Sequence, residues 1–206
     1  MQADTDDFVL PRLSVVMEFR HSLSAETDRG CALMAAEFLS TQLSELLRAH
    51  FVDDSKACDS VFKDANGSLS TFFSRIEFAY LLGYVGPVAR REMHLIRKIR
   101  NEFAHEFTPL SFTEDRISAR CRELSAYVVL PDPSPRRTFV RSVMGLLAVV
   151  HARTAKVTHA KLGEDHVLEL SVEERTEIED TIRKIAEALM SDSRSEDAAP
   201  TAGETQ

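Results

Sequence analysis

The chain has 206 residues, of which 44% are hydrophobic and 28% charged, and it contains only 7 glycines and 7 prolines. This length fits one domain with extensions, and the composition supports a substantial apolar core built from long helices. The net charge of −8 argues against a simple DNA-binding module. No apolar run reaches the roughly 18 residues of a membrane span, and the acidic start lacks signal-peptide features. We therefore expect a soluble, cytoplasmic protein.

The hydrophobic periodicity and the capping residues predict six to seven helices in an all-α bundle. Asp6 or Asp7 caps the first helix, and Ser171 with Glu174 forms a capping box for the last. Gly83 is expected in the left-handed position that ends the third helix. The predicted helices span about 6–22, 28–51, 68–82, 87–106, 113–128, 136–157 and 171–190.

The domain organisation follows from the same pattern. Residues 1–190 are predicted to form a single helical domain, with at most one short helical turn between the second and third long helices. Residues 191–206 consist mainly of Ser, Asp, Glu, Ala, Pro and Thr. Such a segment cannot bury a core, so we expect a disordered tail there.

Charge is unevenly distributed along the chain. Residues 88–156 carry 13 basic and 7 acidic residues, whereas both flanks are acidic. This block could present a basic face to phosphates, or its arginines could pair with the acidic flanks. Few aromatic side chains for base stacking accompany the arginines of a candidate nucleic-acid groove. Those arginines are Arg116, Arg120, Arg122, Arg136, Arg137 and Arg141.

Cysteines and histidines give no sign of a metal site or a cofactor. Cys31, Cys58 and Cys121 form no CxxC pair, and we expect them to be reduced thiols. His94 and His105 would lie about 16 Å apart along one helix, too far to share a metal ion. We therefore expect no metal and no cofactor.

The stretch 92–107, EMHLIRKIRNEFAHEF, holds the most unusual chemistry of the sequence. Its apolar residues share one broad arc of a helix, and Arg100 falls inside that arc. A cation on the apolar side of a helix is costly unless a partner, a ligand or a wet cleft reaches it. Arg75 stands in a similarly apolar helix and is expected to be partly buried and paired.

The six residues from Arg100 to His105, RNEFAH, resemble the signature of HEPN domains, which are helical, usually dimeric, and in some cases metal-independent ribonucleases. The resemblance implies that His105 is a general acid or base, that Arg100 holds a phosphate and that Asn101 orients groups by hydrogen bonding. The structural alternative is that Arg100 ties helices together and His105 packs at the helix end.

A longer resemblance joins GSLSTFFSRI at 67–76, AYLLG at 79–83 and HLIRKIRNEFAH at 94–105. This pattern is similar to the mannitol operon repressor family, over roughly residues 13–155. The resemblance implies an all-helical transcriptional regulator without an evident helix-turn-helix. We expect such a regulator to act as a homodimer through protein partners and not to bind DNA directly. RNA stays open as a ligand of the HEPN-like ribonuclease or toxin alternative. The candidate binding residues are Arg75, Arg97, Arg100 and His105.

Overall fold

The structure is a computed structural model that describes residues 6–126, 134–165 and 170–196. All regular structure in these residues is α-helical, which confirms the all-α prediction. Eight helices are described, one more than expected, because the segment that was predicted to hold a single turn forms the two-turn helix α3. They are α1 (Asp6–Ala25), α2 (Asp28–His50), α3 (Ser55–Phe62), α4 (Phe72–Leu81), α5 (Pro87–His105), α6 (Asp115–Arg122), α7 (Pro135–Thr154) and α8 (Val172–Glu196).

Helix α2 forms the centre of the bundle and packs against α7, α5, α4 and α1. Its leucines recur at three- and four-residue spacings, so they form one continuous buried stripe. Leu39, Leu43 and Leu46 are fully buried in this stripe. The alanines between them allow the neighbouring helices to approach closely. Burial of each leucine stabilises the fold by roughly 1.5–3 kcal/mol, so α2 supplies much of the core.

Several helix ends are capped by neighbouring residues, as the sequence predicts for Ser171 and Gly83. The side chain of Thr27 accepts a hydrogen bond from the backbone N–H of Gly30 at the start of α2. At the start of α8, Glu174 donates its backbone N–H to Ser171 Oγ at 3.2 Å, and the Ser171 N–H donates to Glu174 Oε2 at 2.8 Å. Gly83 has φ of +75°, the left-handed conformation expected after α4.

Helix α6 ends at Arg122, well before the predicted end near residue 128, and a buried carboxylate provides the reason. Glu92 on α5 is fully buried, and its Oε1 accepts the backbone N–H groups of Ser125 at 2.9 Å and Ala126 at 2.7 Å. These amides therefore bind a side chain from another helix. Residues 127 and 128 lie outside the described residues.

The start of α2 holds the end of α5 in place. Arg29 donates to the backbone carbonyls of Glu106 at 2.5 Å and Thr108 at 3.2 Å, just beyond the last residue of α5. Asp28 pairs with Arg136 of α7 at 2.9 Å and also accepts the backbone N–H of Phe112. These bonds connect α2, α5 and α7 at one end of the bundle.

The chain divides into two compact units, Met1–Leu162 and Gly163–Gln206. In the second unit, α8 exposes the apolar side chains of Ile178, Ile182 and Ile185 along one side. The helix extends to Glu196, and residues 197–206 lie outside the described part of the chain. The domain boundary near residue 190 therefore stays a prediction. Among the described helices, none combines the length and apolarity that a membrane span needs.

Candidate functional site: an arginine cleft

A cleft of about 350 Å³ lies between α2, the start of α4 and the middle of α5. Three of the four residues proposed from the sequence as binding residues line it, and Asn101 lines it as well. We call this feature the arginine cleft. Its lining residues are Ala36, Glu37, Ser40, Ser70, Thr71, Phe72, Phe73, Arg75, Arg97, Arg100 and Asn101.

Arg75 forms one wall of the cleft and is bound by neutral groups. Its Nε donates to the carbonyl of Leu69 at 2.9 Å, its Nη1 to Ser40 Oγ at 2.9 Å, and its Nη2 to the carbonyl of Phe62 at 3.3 Å. Burial lowers the pKa of this guanidinium, and the nearby Glu37 carboxylate partly opposes the shift. Arginine nevertheless stays a cation in proteins. Arg75 is partly buried, as predicted, but the groups that bind it carry no formal charge, so the predicted charge pairing is not seen among the described residues.

Arg97 and Arg100 reach the cleft from α5. The Arg97 guanidinium lies over the Phe73 ring, 5.3 Å from its centroid, and its buried Nε has no hydrogen-bond partner among the described residues. Arg100 Nη1 donates to the side-chain oxygen of Asn101 at 3.1 Å. Arg100 is only half-buried, and it lines the open cleft. A cation on the apolar side of a helix needs a partner, a ligand or a cleft, and Arg100 has a cleft.

Other arginines of the basic block are neutralised by carboxylates. Arg90 binds Glu77 through two hydrogen bonds of 2.9 and 2.6 Å, and His94 Nε2 lies 2.6 Å from the same carboxylate. Hydrogen bonds from Arg90, then from His94, hold the pKa of Glu77 below its ordinary value. Glu77 is thus bonded to residues other than Arg100. Over the described part of the chain, neither Arg97 nor Arg100 forms an ion pair.

The start of α4 borders the cleft. Thr71 is the N-cap, and its side chain accepts the backbone N–H of Ser74 at 3.1 Å. The first turn of a helix leaves its leading N–H groups without intrahelical partners, and the helix dipole places partial positive charge there. Phe72 and Phe73 occupy this first turn and line the cleft.

His105 does not line the arginine cleft. It is the last residue of α5 and is exposed. It lies five positions after Arg100 on the same helix, so the two side chains are rotated by about 140° from each other and lie about 7.5 Å apart along the axis. Within one chain, therefore, the predicted catalytic pair does not converge, although Arg100 and Asn101 lie together. The nuclease roles of Arg100, Asn101 and His105 stay predictions.

Comparisons with known proteins bear on the family. The mannitol operon repressor of Escherichia coli strain K12 is 26% identical over 113 residues, which are 53% of this chain and 58% of the repressor. The mannitol operon repressor of Escherichia coli O6:H1 aligns with the same figures. In the X-ray structure of the MtlR–HPr complex from Escherichia coli, one chain superposes with a TM-score of 0.57 at 22% identity. The superposition covers 67% of this chain and 99% of that chain.

The chain resembles the mannitol operon repressors. The sequence similarity and the shared fold together confirm the resemblance expected from the 67–83 and 94–105 segments. The chain spans only 58% of the length of the repressors that it matches. No protein-family model matches the chain, and the HEPN-like motif has no support from the comparisons.

The sequence interpretation missed part of the cleft in this repressor-like bundle. Glu37 and Ser40 on α2 contribute its acidic and hydroxyl groups, and the start of α4 contributes backbone donors. One signal was available, because Ala36 and Ser40 are small residues four apart on α2. Such a pair leaves space beside a helix, but the sequence does not show that α4 and α5 border that space.

Proposed function

We propose that this protein is a transcriptional regulator of the mannitol-repressor type that acts by binding a protein partner. The observation that supports it most is the shared fold with a chain of the MtlR–HPr complex, which is matched over 99% of that chain's length. The matched structure is that of a complex with a second protein. A protein of the HPr class is therefore the first partner to test.

The charge distribution favours a protein partner over direct DNA reading. DNA binding relies on arginines and lysines that are free to replace the counterions of phosphates. In the basic block, however, Arg116 and Arg120 bind Glu102, and Arg136 binds Asp28. These three belong to the six arginines that would line a nucleic-acid groove. Their charge is already paired with carboxylates of the same chain.

Exposed apolar side chains provide a candidate docking surface for the partner. Five large apolar residues within the short stretch 73–88 are exposed, and exposed apolar area marks protein contacts where it is contiguous. We call this set the 73–88 patch. Its members are Phe73, Phe78, Leu81, Leu82 and Val88. Because Phe73 also lines the arginine cleft, the patch joins apolar contact area to positive charge.

The test is titration calorimetry of the purified chain with HPr from the same organism. Leu81 is 74% exposed and Val88 50% exposed, so Leu81→Asp and Val88→Asp should leave the fold intact. Each should weaken binding about tenfold or more, because an aspartate would lose its hydration against an apolar partner surface. Leu162, 81% exposed and outside the patch, supplies the matched control Leu162→Asp.

Three outcomes decide between the parts of the proposal. Loss of binding in the patch variants, with the control unchanged, supports both the partner class and the surface. Full binding by the patch variants overturns the surface. Absence of any complex between the wild-type chain and HPr overturns the partner class.

We further propose that the regulator is a homodimer, as expected for this type of helical protein. Sedimentation equilibrium of the full chain provides the measurement. A mass near twice 23.1 kDa supports the dimer, and a mass of one chain across the micromolar range contradicts it.

A further inference from the structure

We propose that the arginine cleft binds the phosphate group of a small phosphomonoester. The observation that supports this proposal is that three arginines and the first turn of α4 line one small cleft. The ligand is a small molecule whose phosphate lies in the cleft. It would give the regulator an effector site next to the proposed protein contact, because Phe73 belongs to both the arginine cleft and the 73–88 patch.

The charge of the cleft fits a dianion. Arg75, Arg97 and Arg100 line it, and Glu37 is the one carboxylate among the lining residues. The net charge of these side chains is therefore +2, and the start of α4 adds roughly half a positive charge. A phosphate monoester carries between one and two negative charges at neutral pH. Without an anion, these guanidinium groups repel one another in a partly desolvated site.

The unused donors of the cleft also match phosphate. Arg97 lines the cleft and forms no ion pair in the described part of the chain, and Arg100 uses one bond to Asn101. Planar guanidinium groups bind phosphate oxygens through paired, charge-assisted hydrogen bonds. The backbone N–H groups of Phe72 and Phe73 add donors of the kind that bind phosphate at helix starts. Arg75 already binds neutral groups and contributes mainly charge.

The size of the cleft limits the ligand. Its volume of about 350 Å³ lies at the lower end of the roughly 300–1,000 Å³ found for small-molecule sites. A monophosphate with a short organic group fits this range. The Phe73 ring on the cleft wall offers an apolar surface to that organic group. The proposal does not depend on the protein-partner function, because it concerns the isolated chain.

The experiment is titration calorimetry of the full chain, without partner, against inorganic phosphate, glycerol 3-phosphate and glucose 6-phosphate at one ionic strength. We expect at least one ester to bind more tightly than inorganic phosphate. Arg97→Gln should weaken that binding about tenfold or more, because it removes a charge-assisted donor. Lys98→Gln removes the same charge from an exposed neighbouring position on α5 and should change the affinity less than about twofold.

A second variant, which should bind the ester more tightly, provides an independent test. Glu37→Gln removes the one carboxylate that lines the cleft among the residues that the structure describes, so it should strengthen ester binding severalfold. If Arg97→Gln fails to fold by circular dichroism, amide chemical shifts of the wild-type chain decide. We then expect the largest changes on ester addition at Phe72 and Phe73.

Several results overturn the proposal. The first is equal affinity for inorganic phosphate and both esters, and the second is an equal loss of ester affinity in Lys98→Gln and Arg97→Gln. The others are weaker ester binding in Glu37→Gln, and amide chemical-shift changes that are confined to residues away from the cleft. Absence of binding by all three anions at millimolar concentration overturns it as well.

Discussion

Glu92 provides the sharpest test of how α5 is held in place. It is fully buried, and its two oxygens accept hydrogen bonds from the backbone N–H groups of Ser125 and Ala126 and from Ser142 Oγ at 3.0 Å. These bonds fix α5 to α7 and to the segment that follows α6. Because α5 supplies Arg97 and Arg100, the same carboxylate also positions the arginine cleft.

The cost of Glu92→Ala follows from the groups that it leaves unsatisfied. A buried polar group without a partner costs about 1–3 kcal/mol, so the two amides and the buried Ser142 hydroxyl lose about 3–9 kcal/mol. We expect the lower end of this range, because Ser125 and Ala126 are exposed residues whose amides water can reach. Glu92→Gln keeps one oxygen for the two amides and should cost only about 1–2 kcal/mol. For a chain of this length, 3 kcal/mol lowers the melting temperature by about 6–12 °C.

The assay is urea and thermal unfolding followed by circular dichroism. Glu123→Ala supplies the control, because Glu123 is exposed on the same bundle. We expect the order wild type and Glu123→Ala, then Glu92→Gln, then Glu92→Ala. Equal stability of Glu92→Ala and the control would refute the reasoning that a buried carboxylate fixes α5.

Three further predictions concern a glycine, a carboxylate and the thiols. Gly67→Ala should destabilise the fold by about 1–3 kcal/mol, because its methyl group would meet the backbone oxygens of Val61 and Ser60. Gly86→Ala is the control, because a methyl group at Gly86 has free space, and chemical unfolding compares the stability of the two variants. Glu77→Gln should lower the free energy of unfolding at pH 7. The hydrogen bond from Arg90 holds the pKa of Glu77 in the folded chain below 4.5. The stability difference between the wild type and Glu77→Gln should therefore shrink as the pH falls through that lower pKa, and unfolding series at several pH values measure this difference. Burial raises the pKa of the Cys121 thiol to about 12 and also raises that of Cys31, so Ellman's reagent at pH 8 should modify the half-buried Cys58 first, which peptide mapping shows.

The sequence predicts most of the helical framework because local rules decide it. Leucine periodicity fixes α2, and short-range caps such as Thr27 and Ser171 fix helix starts. These signals involve neighbours within four residues, so they are readable without tertiary knowledge. The end of α6 was missed because Glu92 captures amides more than thirty residues away in sequence.

The sequence also predicts part of the candidate site. The unusual position of Arg100 on the apolar side of α5 pointed to a cleft, and the structure has one there. Glu37 and the start of α4 belong to the site only through tertiary packing. His105 looked like a partner of Arg100 from spacing alone, yet the helix turns the two side chains away from each other.

The most direct test of the proposed function is one fluorescence anisotropy experiment at physiological salt. The purified chain is titrated against labelled HPr, a labelled duplex covering the promoter region next to its own gene, and labelled single-stranded RNA. We expect saturable binding of HPr and only weak, salt-sensitive binding of both nucleic acids. A tight, sequence-specific duplex complex, or RNA cleavage that is lost in both Arg100→Ala and His105→Ala, would contradict a regulator that acts through a protein partner.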